Sequence, residues 1–365
     1  MMSASLKVGR FAGIKVQIHW TFWLLFVFVG FMVVSNEGSL ADVGWHFLFV
    51  FALFFCVILH EFGHALTARR FGVGTRSITL LPIGGLASLK EIPDNPKQEF
   101  LIAVAGPLVN VVIALLLYPF VPLESYAGQD PEVLQEQLSS INGGNFLFFL
   151  FFVNVALVLF NMLPAFPMDG GRVFRALLSM RMGRVRATSI ASSVGKFLAF
   201  FFFLFGLFYN IILAVIAVFI YFGAHSENIT VQQLGLLEGN AVRDAMITEF
   251  SILKPDSSLS DAVDKILATT EQNFVVASNG DLEGVLYMDD LARALKQDGN
   301  NLTVGDVMDR DIRTLEAEKP LSSGYRSIQR GGKNFFPVLE DGDIVGVVDM
   351  NNINEFLTLR AEYDY

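Results

Sequence analysis

Cysteine is nearly absent: Cys56 stands alone, so no disulfide can form within the chain. Charge is scarce too, with Asp, Glu, Lys and Arg at 17%, and segments 35–42 and 121–145 hold neither Lys nor Arg. No cleavable leader is evident, because the first apolar run lacks a small-residue cleavage site and continues into a full span. A basic surplus is missing as well. Residues 226–365 carry 12 Lys+Arg against 25 Asp+Glu, a balance that repels phosphate backbones and argues against a nucleic-acid partner. What the chain does have is apolar mass: 53% hydrophobic residues, 36 Phe and a mean hydropathy of +0.50, the composition of a membrane protein. Residues 1–225 carry 14 Lys+Arg and 11 Asp+Glu, so the charge balance changes sign near His225 and marks a domain boundary there.

Apolar runs near 16–34, 43–68, 100–120, 146–168, 188–207 and 210–225 predict six transmembrane helices. Gly206 and the pair Tyr209-Asn210 predict a tight turn between the last two, with Lys196 snorkelling or facing protein. Lys7, Arg10 and Lys15 precede the first run; Arg69, Arg70, Arg76, Lys90 and Lys97 follow the second; Arg172, Arg175, Arg181, Arg184 and Arg186 follow the fourth. Retention of basic residues in the cytoplasm places both termini inside a multi-pass protein of the cell membrane, a prokaryotic inner membrane. The stretch Ser77–Ser88 is too short to cross and alternates weakly, which predicts a re-entrant β element, either an edge that pairs with an extended peptide segment at Gly84 and Gly85 or a hairpin that merely plugs the cytoplasmic entrance.

Beyond His225 the texture becomes soluble α/β and repeats at an offset of 62 residues. Val242-Arg243-Asp244-Ala245-Met246 returns as Val304-Gly305-Asp306-Val307-Met308, and Gly280–Val285 returns as Gly342–Val347. This resembles a tandem pair of CBS domains. The expected order is a membrane domain over 1–225, a linker over 226–239, and repeats over 240–300 and 301–365. The CBS resemblance implies an adenine nucleotide in the cleft between repeats; a homo-oligomer or a docking surface formed through the pair is the rival, and a packing role alone is the plainer reading. Where such domains carry Gly-x-x-Thr-x-x-Asp, the repeats read Gly284, Tyr287, Asp290 and Gly346, Asp349, Asn352. Asp290 is therefore the ribose-binding candidate, and Asp349 adds a carboxylate that repels phosphate. One nucleotide site at most is expected.

The second apolar run contains His60-Glu61-Phe62-Gly63-His64, which puts two imidazoles one helical turn apart on one face. That spacing suits one zinc ion, with Glu61 rotated by about 100° as the group that takes a proton from bound water. The bland alternative is a pair of packing histidines. A catalytic zinc needs a third protein ligand. Cys56 lies one turn earlier, but a row of three residues along a helix spans about 12 Å and cannot close on one ion. His46 and His225 fall at other depths. His19 enters the first run from the basic side and stays open as a ligand or supporting group. Asp169, in Asn161-Met162-Leu163-Pro164-Ala165-Phe166-Pro167-Met168-Asp169-Gly170-Gly171-Arg172, ends the fourth run in a broken helix near the same boundary as His64; it is also a candidate N-cap.

HEFGH paired with Asn-x-x-Pro-x-x-Pro-x-Asp-Gly-Gly resembles the site-2 proteases, in the branch that carries CBS domains. The resemblance implies zinc on His60, His64 and Asp169, Glu61 as catalytic base and Asn161 beside the reacting carbonyl. It also implies a single-span membrane protein as substrate. Ala105-Gly106-Pro107-Leu108-Val109-Asn110 resembles a third-span segment of that family and reads as architecture. A different class also fits the outline: a CBS-bearing cation channel or transporter whose pore is lined by His60, Glu61, His64 and Asp169.

Overall fold

The computed structural model describes residues 5–82, 84–89, 93, 95–126, 130, 132–133, 140–298, 302–331 and 333–363. Lys90, much of the segment 121–145 and the expected repeat boundary at 300–301 lie outside these. The chain separates into two compact units, Met1–Val231 and Gln232–Tyr365.

The first unit opens on a strand pair, β1 (Ser5–Phe11) and β2 (Ile14–His19), and not on a helix. The apolar run expected from residue 16 is thus shortened: residues 16–19 are extended, and α1 spans only Phe22–Ser35. β2 pairs in parallel with β3 (Thr75–Leu81), which turns into antiparallel β4 (Gly84–Leu89), giving a sheet in the order β1-β2-β3-β4 with β4 at an edge. Ile14 and Ile78 seat this sheet on Ala65 of α2 (Leu40–Arg70). A reciprocal capping box starts α2: Ser39 Oγ accepts from Asp42 N at 3.2 Å, and Asp42 Oδ2 accepts from Ser39 N at 2.8 Å.

Asn95 caps α3 (Pro96–Leu117), with Pro96 at the first position, where no amide hydrogen is needed. Next come α4 (Phe146–Asn161) and α5 (Asp169–Met182), then α6 (Arg184–Tyr209) and α7 (Ile211–Leu236), which break at Asn210. The stretch expected as a linker, 226–239, is helical as far as Leu236, since polar Glu227, Gln232 and Gln233 are good helix formers that hydropathy alone discounts. Among the described residues four helices are long and apolar enough to cross a membrane: α2, residues 96–120, α6 and α7; α1 and α4 are apolar but shorter. The segment between α4 and α5 sits on α6 and α7, with Ala165 and Met168 packed against Ala199 and Ile220.

The second unit holds the duplicated α/β modules. One has parallel β5 (Ile252–Leu253) and β6 (Phe274–Ser278) with antiparallel β7 (Asp281–Leu286), flanked by α8 (Leu259–Ala268) and α9 (Met288–Asp298). The other repeats the pattern with β8 (Leu315–Glu316), β9 (Phe335–Glu340), β10 (Asp343–Asp349), α10 (Leu321–Gly331) and α11 (Met350–Tyr363). Val275 and Val285 of the first sheet pack against Phe335 and Val347 of the second. Each hairpin turns through a positive-φ pair, Asn279-Gly280 and Asp341-Gly342, the residue types that tolerate that conformation.

Candidate metal centre

Helical periodicity sets His60 and His64 on one face of α2, and α3 crosses that face directly. The crossing depends on Gly106: a Cβ there would lie 2.1 Å from His64 Nε2 and 2.7 Å from His60 Nε2. α3 then supplies the outer partners of both rings. His64 Nδ1 meets the Ile102 carbonyl at 2.7 Å, and His60 Nδ1 meets Asn110 Oδ1 at 2.6 Å. A carbonyl only accepts, so His64 carries its proton on Nδ1. The same logic reaches His60 in two steps. Asn154 Nδ2 donates to the Leu150 carbonyl at 2.7 Å, which turns Asn154 Oδ1 towards Asn110 Nδ2 at 2.8 Å and leaves Asn110 Oδ1 to accept from His60 Nδ1.

In the neutral rings, with the proton on Nδ1, both Nε2 atoms are acceptors, and they face each other at 3.1 Å. Into the same space Asp169, first residue of α5 after N-cap Met168, directs Oδ2 to 3.2 Å from His60 Nε2 and 3.1 Å from His64 Nε2. All three side chains are buried. In that tautomer three acceptors this close repel unless a cation, a metal ion or a proton, lies among them. Donors bonded at about 2.0 Å to a tetrahedral zinc stand about 3.3 Å apart, and two imidazole nitrogens with a carboxylate oxygen are a donor set zinc takes, so the residues fit that ion.

The remaining sequence candidates separate from this cluster. His19 Nδ1 bonds Thr21 Oγ1 at 2.7 Å, His46 Nδ1 meets the Asp42 carbonyl at 2.7 Å, and His225 lies 3.5 Å from Lys196 Nζ. Among the described residues only His60, His64 and Asp169 group as a metal site. Cys56 is buried beside Asn154 Nδ2, at 3.5 Å. Glu61 is half-buried beside β4, where a Cβ on Gly85 would come within 2.8 Å of Glu61 Cγ and 3.2 Å of Oε1. Asn161, at the end of α4, is half-buried, and its side chain makes no hydrogen bond among the described residues.

Sequence reasoning missed the supports. Asn110 was read with a small-residue packing segment and Asn154 not at all, although an isolated amide inside an apolar run is itself a signal. A second buried network went unread. Arg175 of α5 donates through Nε to Glu99 Oε1 of α3 at 2.9 Å, its Nη1 pairs with Glu227 of α7, and its guanidinium lies 4.9 Å from the centre of the Phe166 ring. At 1% exposure Arg175 ties three helices together around the base of the Asp169 helix.

The second unit has its own polar cleft of about 380 Å³, lined by Asn273, Tyr287, Asp290, Asp309 and Lys333 among others. Asp290 there pairs with Arg293 at 2.5 Å, and Lys333 Nζ with Asp309 Oδ2 at 2.8 Å. The counterpart in the other repeat is closed on itself: Asp349 and Asn352 each accept from the other's backbone amide, at 2.9 and 3.0 Å.

Comparison with known proteins places these features in a family. The model for peptidase family M50 matches residues 48–204, and the CBS domain model matches 242–297 and 304–358. The chain is 33% identical over 354 residues to the zinc metalloprotease MJ0392 of Methanocaldococcus jannaschii, covering 96% of both. It is 25% identical over 170 residues to the stage IV sporulation protein FB of Bacillus subtilis, covering 46% of this chain and 49% of that one. A solved site-2 protease from Methanocaldococcus jannaschii aligns with a TM-score of 0.45 at 37% identity, over 61% of this chain and 95% of that one.

Proposed function

The chain belongs to peptidase family M50, the zinc metalloproteases of the site-2 type, with a CBS pair behind the membrane domain, and on that premise we propose that it cuts single-span membrane proteins within or beside their transmembrane segments. In this reading His60, His64 and Asp169 hold the zinc, Glu61 is the base and Asn161 donates to the developing oxyanion. The observation that supports it is the convergence of three ligand atoms, two imidazole nitrogens and a carboxylate oxygen, on one point next to Glu61 in the chain. A cation path would string such groups along a pore; here they share one point.

The membrane domain would cross six times, α1 and α4 included, with both termini cytoplasmic and the β3–β4 hairpin re-entrant beside the metal. A peptide bond inside a helix is shielded, so the substrate must unwind. The edge of β4 offers main-chain donors and acceptors to an extended segment without demanding particular side chains. Gly84 and Gly85 let that segment approach Glu61. Bound zinc supplies Lewis-acid chemistry, polarising the scissile carbonyl and acidifying water. Glu61 takes the proton from that water as the oxygen attacks the carbonyl carbon. Asn161 stabilises the negative charge that develops on the carbonyl oxygen. Glu61 then returns the proton to the nitrogen as the C–N bond breaks, so one carboxylate serves as base and acid in turn.

The CBS cleft would take one adenine nucleotide, with Asp290 on the ribose, as a regulatory ligand; a homo-oligomer through the pair is the rival role. Calorimetry with ATP, ADP and AMP on the full chain tests the nucleotide, and absence of heat with all three removes it.

The decisive experiment compares membrane proteomes of cells carrying the parent chain and Glu61→Gln. Single-span proteins should accumulate uncut in the variant while zinc stays at one per chain, because a general base is worth about 10²–10⁴ in rate. Cleavage at the parent rate by Glu61→Gln would remove the assignment.

A further inference from the structure

A lysine stands inside the second half of the membrane domain without an anion. Lys196 of α6 is half-buried, and among the described residues no carboxylate lies within ion-pair distance of it. Its Nζ meets His225 Nδ1 at 3.5 Å and lies 5.9 Å from the centre of the Tyr221 ring, contacts that orient a cation without neutralising it. The Tyr221 hydroxyl makes no hydrogen bond among the described residues. Depth makes this costly. Lys196 is 14 residues from the Asn210 break, about 21 Å along a helix, and a hydrocarbon core is about 30 Å thick. The ammonium thus lies in the leaflet on the side of Arg184 and Arg186, within snorkelling reach of its headgroups.

From Lys196 an apolar groove of about 210 Å³ runs between α6 and α7 towards the break. Ala199 and Ala217 form its floor, and Phe200, Phe203 and Phe222 its walls. On α6 the lining residues 196, 199, 200 and 203 follow one helical face, so the groove extends about 10 Å with the cation at the headgroup end.

We propose that this groove binds one anionic phospholipid, its phosphodiester on Lys196 and the Tyr221 hydroxyl and its acyl chain along Ala199 and Ala217. Charge complementarity selects the occupant: a zwitterionic lipid brings its own cation to the phosphate, whereas an anionic lipid leaves the phosphate free for Lys196. Occupancy has a structural consequence, because Ala199 also packs on Ala165 and Met168, the segment that leads into Asp169. A seated lipid braces that segment from behind.

The test uses the full-length chain in detergent, titrated with phosphatidylglycerol or with phosphatidylcholine of the same acyl chains, and counts retained lipid by native mass spectrometry. The parent should retain one phosphatidylglycerol with at least tenfold preference over phosphatidylcholine. Lys196→Gln should lose the preference and Lys196→Arg should keep it. Lys15→Gln, on a strand elsewhere, should behave as the parent. Equal retention of the two lipids by the parent, unchanged preference in Lys196→Gln, or equally tight binding of glycerol 1-phosphate without chains would each overturn the proposal. Lipid counting needs no cleavage, so its outcome is separate from that of the protease reading.

Discussion

His60 and His64 face one another through Nε2 atoms 3.1 Å apart, and each ring is held in that orientation by a hydrogen bond on its far side. Those outer bonds fix which nitrogen each ring offers to an ion. Sequence spacing put the rings on one face of a helix; α3 decided which nitrogen each turned inward.

That arrangement makes Asn110 a positioning residue. Asn110→Leu should lower zinc affinity about 10–100-fold while leaving all three donors in place. Competition with a chromogenic chelator measures it, and Asn154→Ala should act in the same direction more weakly, since it touches the ring only through Asn110.

Gly85 gives a second prediction, on turnover. A β-branched side chain on β4 crowds Glu61 and the strand edge without touching the zinc ligands. Gly85→Val should cut kcat/KM by about 10-fold or more with zinc content unchanged, as expected when substrate positioning is lost.

Arg175 bears on stability. Removing one member of a buried ion network strands the others, so Arg175→Met should destabilise the membrane domain by about 3–5 kcal/mol. Thermal unfolding in detergent reads this, and adding Glu99→Gln to Arg175→Met should recover part of the loss.

The CBS pair should respond to pH through Asp309 and Lys333. The hydrogen bond from Lys333 holds the Asp309 carboxyl below its ordinary 3.8. Burial pulls the Lys333 ammonium down, but its bonds to Asp309 and Asp311 outweigh that and hold it above 10.5. The carboxylate's contribution is present above pH 3.8 and is lost as pH falls through the depressed value; the lysine's is present below pH 10.5 and is lost as pH rises through the raised one. Asp309→Asn should therefore cost about 0.5 kcal/mol at pH 7, and the cost should shrink as pH falls below 3.8. Hydrogen exchange at β7 and β9 amides in the full chain reports the difference.

What was legible in the sequence followed from periodicity and depth. The His60–His64 spacing is a local property of one helix, and Arg69 and Arg172 placed His64 and Asp169 near one membrane boundary. The break at Asn210 was likewise marked by its residue types. The β1–β2 pair was not, because Lys7, Arg10 and Lys15 interrupt its apolar residues and its partner β3 lies some sixty residues away. Hydropathy therefore fused Val16–His19 with the helix behind them. Asn154 escaped for the opposite reason: one amide barely alters the mean over an apolar run, and its meaning lies in partners on other helices.

The guanidinium of Arg175, shared between Glu99 and Glu227, works as a rivet through α3, α5 and α7. Helices fastened in this way travel as one block. The seam where α1 and the four-stranded sheet meet α2 is held otherwise, by aliphatic and aromatic packing and by one hydrogen bond from Arg69 Nη1 to the Ala12 carbonyl, so sliding along it strands no carboxylate.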